Sequence, residues 1–132
     1  MALRWYSTVV DAADHHGLAR WWAESLEWDV AVDTDAEAIV VPPWASQFTE
    51  ILDFHHVPPG LVFVPADQSK THKNRLHLDL APSTDDDRDG EIARLVERGA
   101  RVIDVGQPAD ASWTILADPE GNEFCVLSSR SR

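Results

Sequence analysis

The sequence predicts an α+β protein of two βαβββ modules, whose mixed sheets curve around a central cleft with one helix packed outside each module. Three observations carry this. The order strand, helix, three strands occurs twice; residues 76–80 alternate strictly between apolar and polar; and the polar stretch 67–74 separates the two runs. The 132 residues make one domain, at the usual ~100–200 residues per domain. Module one covers about residues 1–68 and module two about 74–132.

Residues 3–10 mix β-branched and aromatic side chains and predict the first strand, which stops at Asp11-Ala12-Ala13-Asp14. Asp14 is placed as an N-cap, after which Leu18, Trp21, Trp22 and Leu26 line one apolar helix face. The β-type runs 30–32 and 38–41 flank the polar Asp33-Thr34-Asp35 and predict a hairpin that ends at Pro42-Pro43. Residues 44–59 show no period, hold the pair His55-His56 and close on Pro58-Pro59-Gly60, so they are read as a long connection able to serve as a lid. Residues 61–64 complete module one as a short buried strand.

In module two, Leu76, Leu78 and Leu80 alternate with His77, Asp79 and Ala81, which sends the leucines to one face of a strand and the polar residues to the other. Ser83 to Asp87 suit a helix N-terminus, where the dipole welcomes negative charge; this explains the acidic run better than a calcium loop does. Ile92, Leu95 and Val96 form the apolar face of that helix and Gly99 its end. Residues 101–105, 112–116 and 123–128 predict three strands, the last two joined by a tight turn at Asp118-Pro119-Glu120-Gly121-Asn122.

Eleven basic against 23 acidic residues give a net charge of −12, which repels a phosphate backbone and argues against nucleic acid as a partner. No apolar run approaches the ~20 residues that span a bilayer, so no membrane role is expected. The N-terminal residues lack the apolar core of a secretion signal, and the single cysteine cannot form an intrachain disulfide; both point to the cytoplasm. His15 and His16 open a helix, where neighbours point about 100° apart, a poor chelating geometry; they are expected in solvent. Unpaired sheet edges and six tryptophans favour a homodimer.

Strand parity selects the candidate site. If the leucines of 76–80 lie under the second helix, His77 and Asp79 face the cleft. In the first strand Tyr6, Thr8 and Val10 face the helix, leaving Trp5 and Ser7 in the cleft. In the last strand Phe124 and Val126 face the helix, leaving Glu123 and Cys125 opposite, with Trp113 as an aromatic wall. Glu123 is either a ligand-facing carboxylate or an ion-pair partner of Arg75 or Lys73. A Cys125/His77/Asp79 triad can be drawn, but His77 and Asp79 share one strand and point in parallel, and nothing in the sequence activates the thiol.

Three segments, residues 11–28, 73–80 and 113–127, resemble the vicinal oxygen chelate superfamily of glyoxalases, bleomycin-resistance proteins and extradiol dioxygenases, and among these the glyoxalase-like domain proteins. The resemblance implies a divalent metal held by one side chain from the first and last strand of each module. Those positions fall on Ser7, on Phe63 or Val64, on His77 and on Cys125, with Glu123 two residues before it. Module one thus offers no ordinary ligand, and no metal ligand set is assigned. The expectation is a metal-free pocket that binds a small organic molecule. The alternatives are a lyase, isomerase or hydrolase with His77 and Glu123 as acid/base pair, or a metal-dependent member with His77 and Cys125 as ligands; glyoxalase I turnover of methylglyoxal with glutathione is not expected.

Overall fold

A computed structural model describes residues 3–47, 56–104 and 106–131. The chain divides into two compact units, residues 1–69 and 70–132. In the first, strand β1 (Ser7–Ala12) leads into helix α1 (His15–Leu26), then β2 (Asp29–Asp33), β3 (Ala38–Val41), a short helix α2 (Pro43–Gln47) and β4 (Gly60–Pro65). In the second, β5 (Leu78–Leu80) leads into α3 (Arg88–Glu97), then β6 (Arg101–Val102), β7 (Thr114–Ala117) and β8 (Glu123–Val126). The strand orders are β1-β4-β3-β2 and β5-β8-β7-β6. In each unit the first and last strands are therefore neighbours, and they run parallel while the other pairs are antiparallel.

Each sheet carries a helix for a physical reason readable in the sequence. Leu18, Trp21 and Trp22 of α1 are buried, with Ala19 and Ala23 between them letting the helix approach β3 and β4; each large side chain so buried contributes about 1.5–3 kcal/mol. Val40, Leu61 and Phe63 supply the facing side of the sheet. In the second unit Leu95 of α3 is buried, as are Leu116, Phe124 and Val126. The Arg88 guanidinium donates to the Thr114 hydroxyl at 3.0 Å, which fixes the even-numbered face of β7 and β8 as the helix side. Arg88 also donates to the carbonyls of Val126 and Leu127, closing the end of β8.

Both helices start with the same device. Asp14 accepts from the amide of Gly17 at 3.0 Å, and Asp87 accepts from the amide of Gly90 at 3.2 Å; a side chain on either glycine would collide with the capping carboxylate. The Asp-x-x-Gly spacing thus repeats between the units, and the second cap lies at Asp87 rather than among the hydroxyls of Ser83 and Thr84. The helix ends differ. Gly99 takes the left-handed conformation after α3, with φ 116°, whereas Glu27 takes it after α1, with φ 57°.

Several expectations change. Strand β1 begins at Ser7, so Tyr6 is exposed rather than under the helix. Leu76 is 88% exposed, because the chain bends at residues 75 and 76 and β5 starts at Leu78. Val96 is exposed as well, which leaves Leu95 as the buried residue of α3. His15 is not in solvent: it is 6% exposed, and its Nε2 lies 2.8 Å from the Thr34 carbonyl, tying the start of α1 to the β2–β3 turn. His16 contacts Asp33 beside it. Residues 48–55, including His55 and half of the suggested lid, lie outside the described residues, as does Val105.

The β7–β8 turn is built around Asp118, 1% exposed, whose carboxylate accepts from the amides of Glu120 at 3.0 Å and Asn122 at 2.9 Å. Gly121, at φ 91°, lets the chain reverse there. Asp118→Ala leaves these buried amides unpaired and is expected to cost about 2–4 kcal/mol, read as a lower midpoint in urea unfolding. Glu27→Gly relieves a non-glycine residue of the left-handed region and is expected to raise stability by about 0.5–1 kcal/mol; a lowered melting temperature would contradict it.

Candidate functional site

The site follows from register. Parallel pairing aligns Leu78 with Phe124, Asp79 with Cys125 and Leu80 with Val126, and antiparallel pairing aligns Ile115 with Cys125 and Ala117 with Glu123. With the even-numbered residues on the helix side, Asp79, Cys125 and Ile115 form one row across the opposite face. His77 enters the same face just before β5. One donor atom each from His77, Asp79 and Cys125 lie within 4.8 Å of one another.

The three differ in exposure. The side chains of His77 and Asp79 are 44% and 50% exposed, and His77 Nε2 stands 3.1 Å from Asp79 Oδ1. Cys125 is buried beneath them, 6% exposed. Burial pushes the Cys125 thiol above its usual range, the Asp79 carboxylate beside it pushes in the same direction, and Lys73 pulls the other way. The thiol therefore holds its proton and is not an activated nucleophile.

Glu123 stands apart from this group although it shares their strand face. Its carboxylate receives Lys70 Nζ at 2.7 Å and the Asn74 amide at 2.9 Å, and the Asn74 side chain reaches Asn122 at 3.4 Å. Burial alone would raise the Glu123 pKa, but the bonds from Lys70 and the backbone outweigh it and hold the carboxylate below its ordinary range. Its ion-pair partner is thus Lys70, not Arg75 or Lys73 as the sequence allowed. Lys70 also donates to the His72 carbonyl, so residues 70–74 are fastened along the start of β8.

The remaining predicted positions are less engaged. Trp113 precedes β7 and is half-exposed; Trp5 precedes β1 and is exposed; Ser7 opens β1. The β4 partners of β1, from Gly60 to Pro65, carry no imidazole, thiol or carboxylate. A groove of about 540 Å³ lies in the first unit where α1 runs into β2, lined by Arg20, Glu24, Glu27, Trp28 and Val30 among others, none of them a predicted site residue.

Ligand counting in the sequence missed Asp79 as a third donor. The signal was present: Asp79 has the parity of His77, and the parallel pairing of first and last strands sets it opposite Cys125. The donor set answers which cation fits. Imidazole nitrogen, thiolate sulfur and a carboxylate oxygen suit Zn²⁺ and neighbouring transition metals, whereas Mg²⁺ and Ca²⁺ want oxygen throughout. Three protein ligands with the rest left to solvent or substrate is the pattern of catalytic rather than structural zinc. Among the described residues no helix is long and apolar enough to cross a membrane.

Comparison with known proteins agrees with this architecture. No curated protein matches the sequence. Among solved structures, a glyoxalase/bleomycin resistance protein/dioxygenase family enzyme from Burkholderia phytofirmans PsJN superposes with a TM-score of 0.70 at 13% identity, over 97% of this chain and 100% of that one. Oxidase ChaP-H2 gives 0.64 at 18% identity, over 99% and 97% of the two chains. TnmS3, an antibiotic binding protein from Streptomyces sp. CB03234, gives 0.55 at 20% identity, over 98% and 99%. At such identities these likenesses establish the fold alone. The sequence itself matches the glyoxalase-like domain over residues 7–127, and the chain accordingly belongs to the glyoxalase-like domain family.

Proposed function

We propose that the protein is a cytoplasmic small-molecule-binding member of the vicinal oxygen chelate superfamily whose second module holds a borderline-soft divalent cation of the zinc type on His77, Asp79 and Cys125. The observation that supports this reading is the convergence of the three donors within 4.8 Å, which favours the metal-dependent alternative over a metal-free pocket. Bound there, the cation supplies Lewis-acid polarisation of a substrate oxygen at an open coordination position. The chain's own contribution is positional. Asp79 and Cys125 are fixed by the β5–β8 ladder, and His77 is oriented by its contact with Asp79. The neighbours' printed names, an oxidase and an antibiotic binding protein, show that this fold serves both catalysis and binding.

The acid/base reading retains His77 as an exposed imidazole able to take a proton from a bound substrate. For Glu123 the geometry supports an anchoring role, since a carboxylate kept ionised by Lys70 has no proton to give at neutral pH. A homodimer formed through the sheet edges completes the proposal, and light scattering of the purified chain tests it by mass.

Metal uptake is measured by titrating chelator-treated protein with Co²⁺ and Zn²⁺. A thiolate-to-cobalt charge-transfer band is expected in the wild type and absent in Cys125→Ser, with Zn²⁺ affinity falling on the order of 100-fold in that variant. Because the cation displaces the Cys125 proton, affinity should weaken about tenfold for each pH unit below the thiol pKa. No band and no uptake would sink the metal reading.

Glu123→Gln tests the anchor. The folded-state pKa of Glu123 is depressed, so its stabilisation is fully present above the unfolded carboxylate pKa and is lost as pH falls through the lower folded value. The variant should lose about 1–3 kcal/mol at pH 7, and its deficit should shrink on acidification through that window. A deficit independent of pH would point to packing instead.

A further inference from the structure

We propose that the His77–Asp79–Cys125 centre receives a small organic carboxylate, whose anionic group is bound by Lys73 and Arg75. This rests on the reading of those three residues as the ligand-facing centre and names the class of ligand they take. It starts from where the positive charge lies. The chain carries −12 overall, yet both of its lysines, Lys70 and Lys73, fall within four residues, followed by Arg75 and His77. Between Asp67 and Asp79 there is no acidic residue. A strongly acidic protein repels small anions from most of its surface; this segment is a local stretch of the opposite sign.

The segment is also built against the centre. Lys70 and Asn74 fasten it to Glu123, two residues before Cys125 on the same strand. That arrangement divides the labour between the cations. Lys70 is consumed by Glu123 at 2.7 Å, whereas Lys73 and Arg75 are exposed and have no ion-pair partner among the described residues. Lys73 adjoins Asn74, whose amide is held at 2.9 Å by Glu123, two residues before Cys125 on the same strand. At physiological ionic strength charges beyond ~8 Å are largely screened, so the cations of this segment act on an arriving ligand together with the Asp79 carboxylate of the centre itself, rather than with the distant acidic surface. The fork of Arg75 matches a carboxylate in shape as well as in charge. The apolar floor beside the donors, Ile115 and Ala117 on β7, suits the carbon body of an organic anion.

Benzoate and its neutral isostere benzamide separate charge recognition from simple apolar contact. Each is titrated by amide NMR into chelator-treated and into zinc-loaded wild type, into Lys73→Ala/Arg75→Ala, and into Arg101→Ala, which removes an exposed arginine on β6. Zinc uptake and the melting transition are recorded on the same samples. The expected result is saturable benzoate binding that shifts amides of residues 73–79 and 123–126, at least tenfold weaker binding of benzamide, loss of that preference in the double variant, and wild-type behaviour in Arg101→Ala. Equal binding of the two probes, saturation by neither, or an unchanged preference in the double variant would overturn the proposal. Zinc uptake without benzoate preference defeats this inference and leaves the metal reading standing. Benzoate preference without zinc uptake does the reverse, and keeps the carboxylate assignment on the chain's own cations.

Discussion

The register between β7 and β8 is the constraint on which the candidate site depends, and a single buried carboxylate sets it. Asp118 gathers the amides of Glu120 and Asn122, so the turn has one length and Ile115 must stand opposite Cys125. A strand slipped by one residue sends every side chain to the other face. Cys125 would then point under α3 and Phe124 would lie beside Asp79. The chemistry of the thiol is therefore decided at a turn several residues away, through geometry rather than contact. Arg88 holds the far end of the same strand by its bonds to the carbonyls of Val126 and Leu127, so β8 is fixed at both ends.

The two units share a plan but not a task. Both place a parallel pair at the first and last strands, and both open their helix with an aspartate that caps a glycine amide three residues on. In the first unit the paired strands carry Ser7, Val9 and the carboxylate of Asp11 against Gly60 to Val64, with no second ordinary ligand on β4. In the second the equivalent pair carries Asp79 against Cys125, with His77 leading in. The helix ends differ in the same sense: α3 closes on a glycine, while α1 puts Glu27 in a conformation that costs energy without one. Among the described residues, a group of three converging donors thus lies in the second unit.

How much of this the sequence discloses depends on the length of the pattern that carries it. The twofold order of elements was legible because α1 sets Leu18, Trp21, Trp22 and Leu26 on one face over about two turns, and because the hairpin at Asp33 to Asp35 and the turn at Asp118 have unambiguous polar composition. Parity on β8 was legible too, since Phe124 and Val126 alternate with Glu123 and Cys125. Strand ends were not. Leu76 has the right character for a strand, but the bends at residues 75 and 76 leave it in solvent, and no local propensity encodes where a ladder begins. His15 was misplaced for a related reason: its burial comes from the Thr34 carbonyl, a partner 19 residues on. Parity already put His77, Asp79 and Cys125 on one face, but that Asp79 stands opposite Cys125 needed the same kind of long-range information, namely that the first and last strands of the module are neighbours.

Electrostatics links the Glu123 ion pair to the state of the Cys125 thiol. Asp79 already raises the Cys125 thiol, on top of burial. A second unpaired carboxylate two residues away on the same face would add to that effect, tightening the proton on sulfur and making the thiolate harder to reach for any cation. Lys70 removes this charge by pairing with it at 2.7 Å, and the Asn74 amide shares the load. The same contact draws residues 70–74 onto the sheet and so brings Lys73 to bear on the thiol from the opposite sign. One ion pair thereby performs two functions, cancelling an unwanted negative charge and delivering a positive one, and the balance it strikes determines whether sulfur at this position behaves as a buried apolar group or as a ligand.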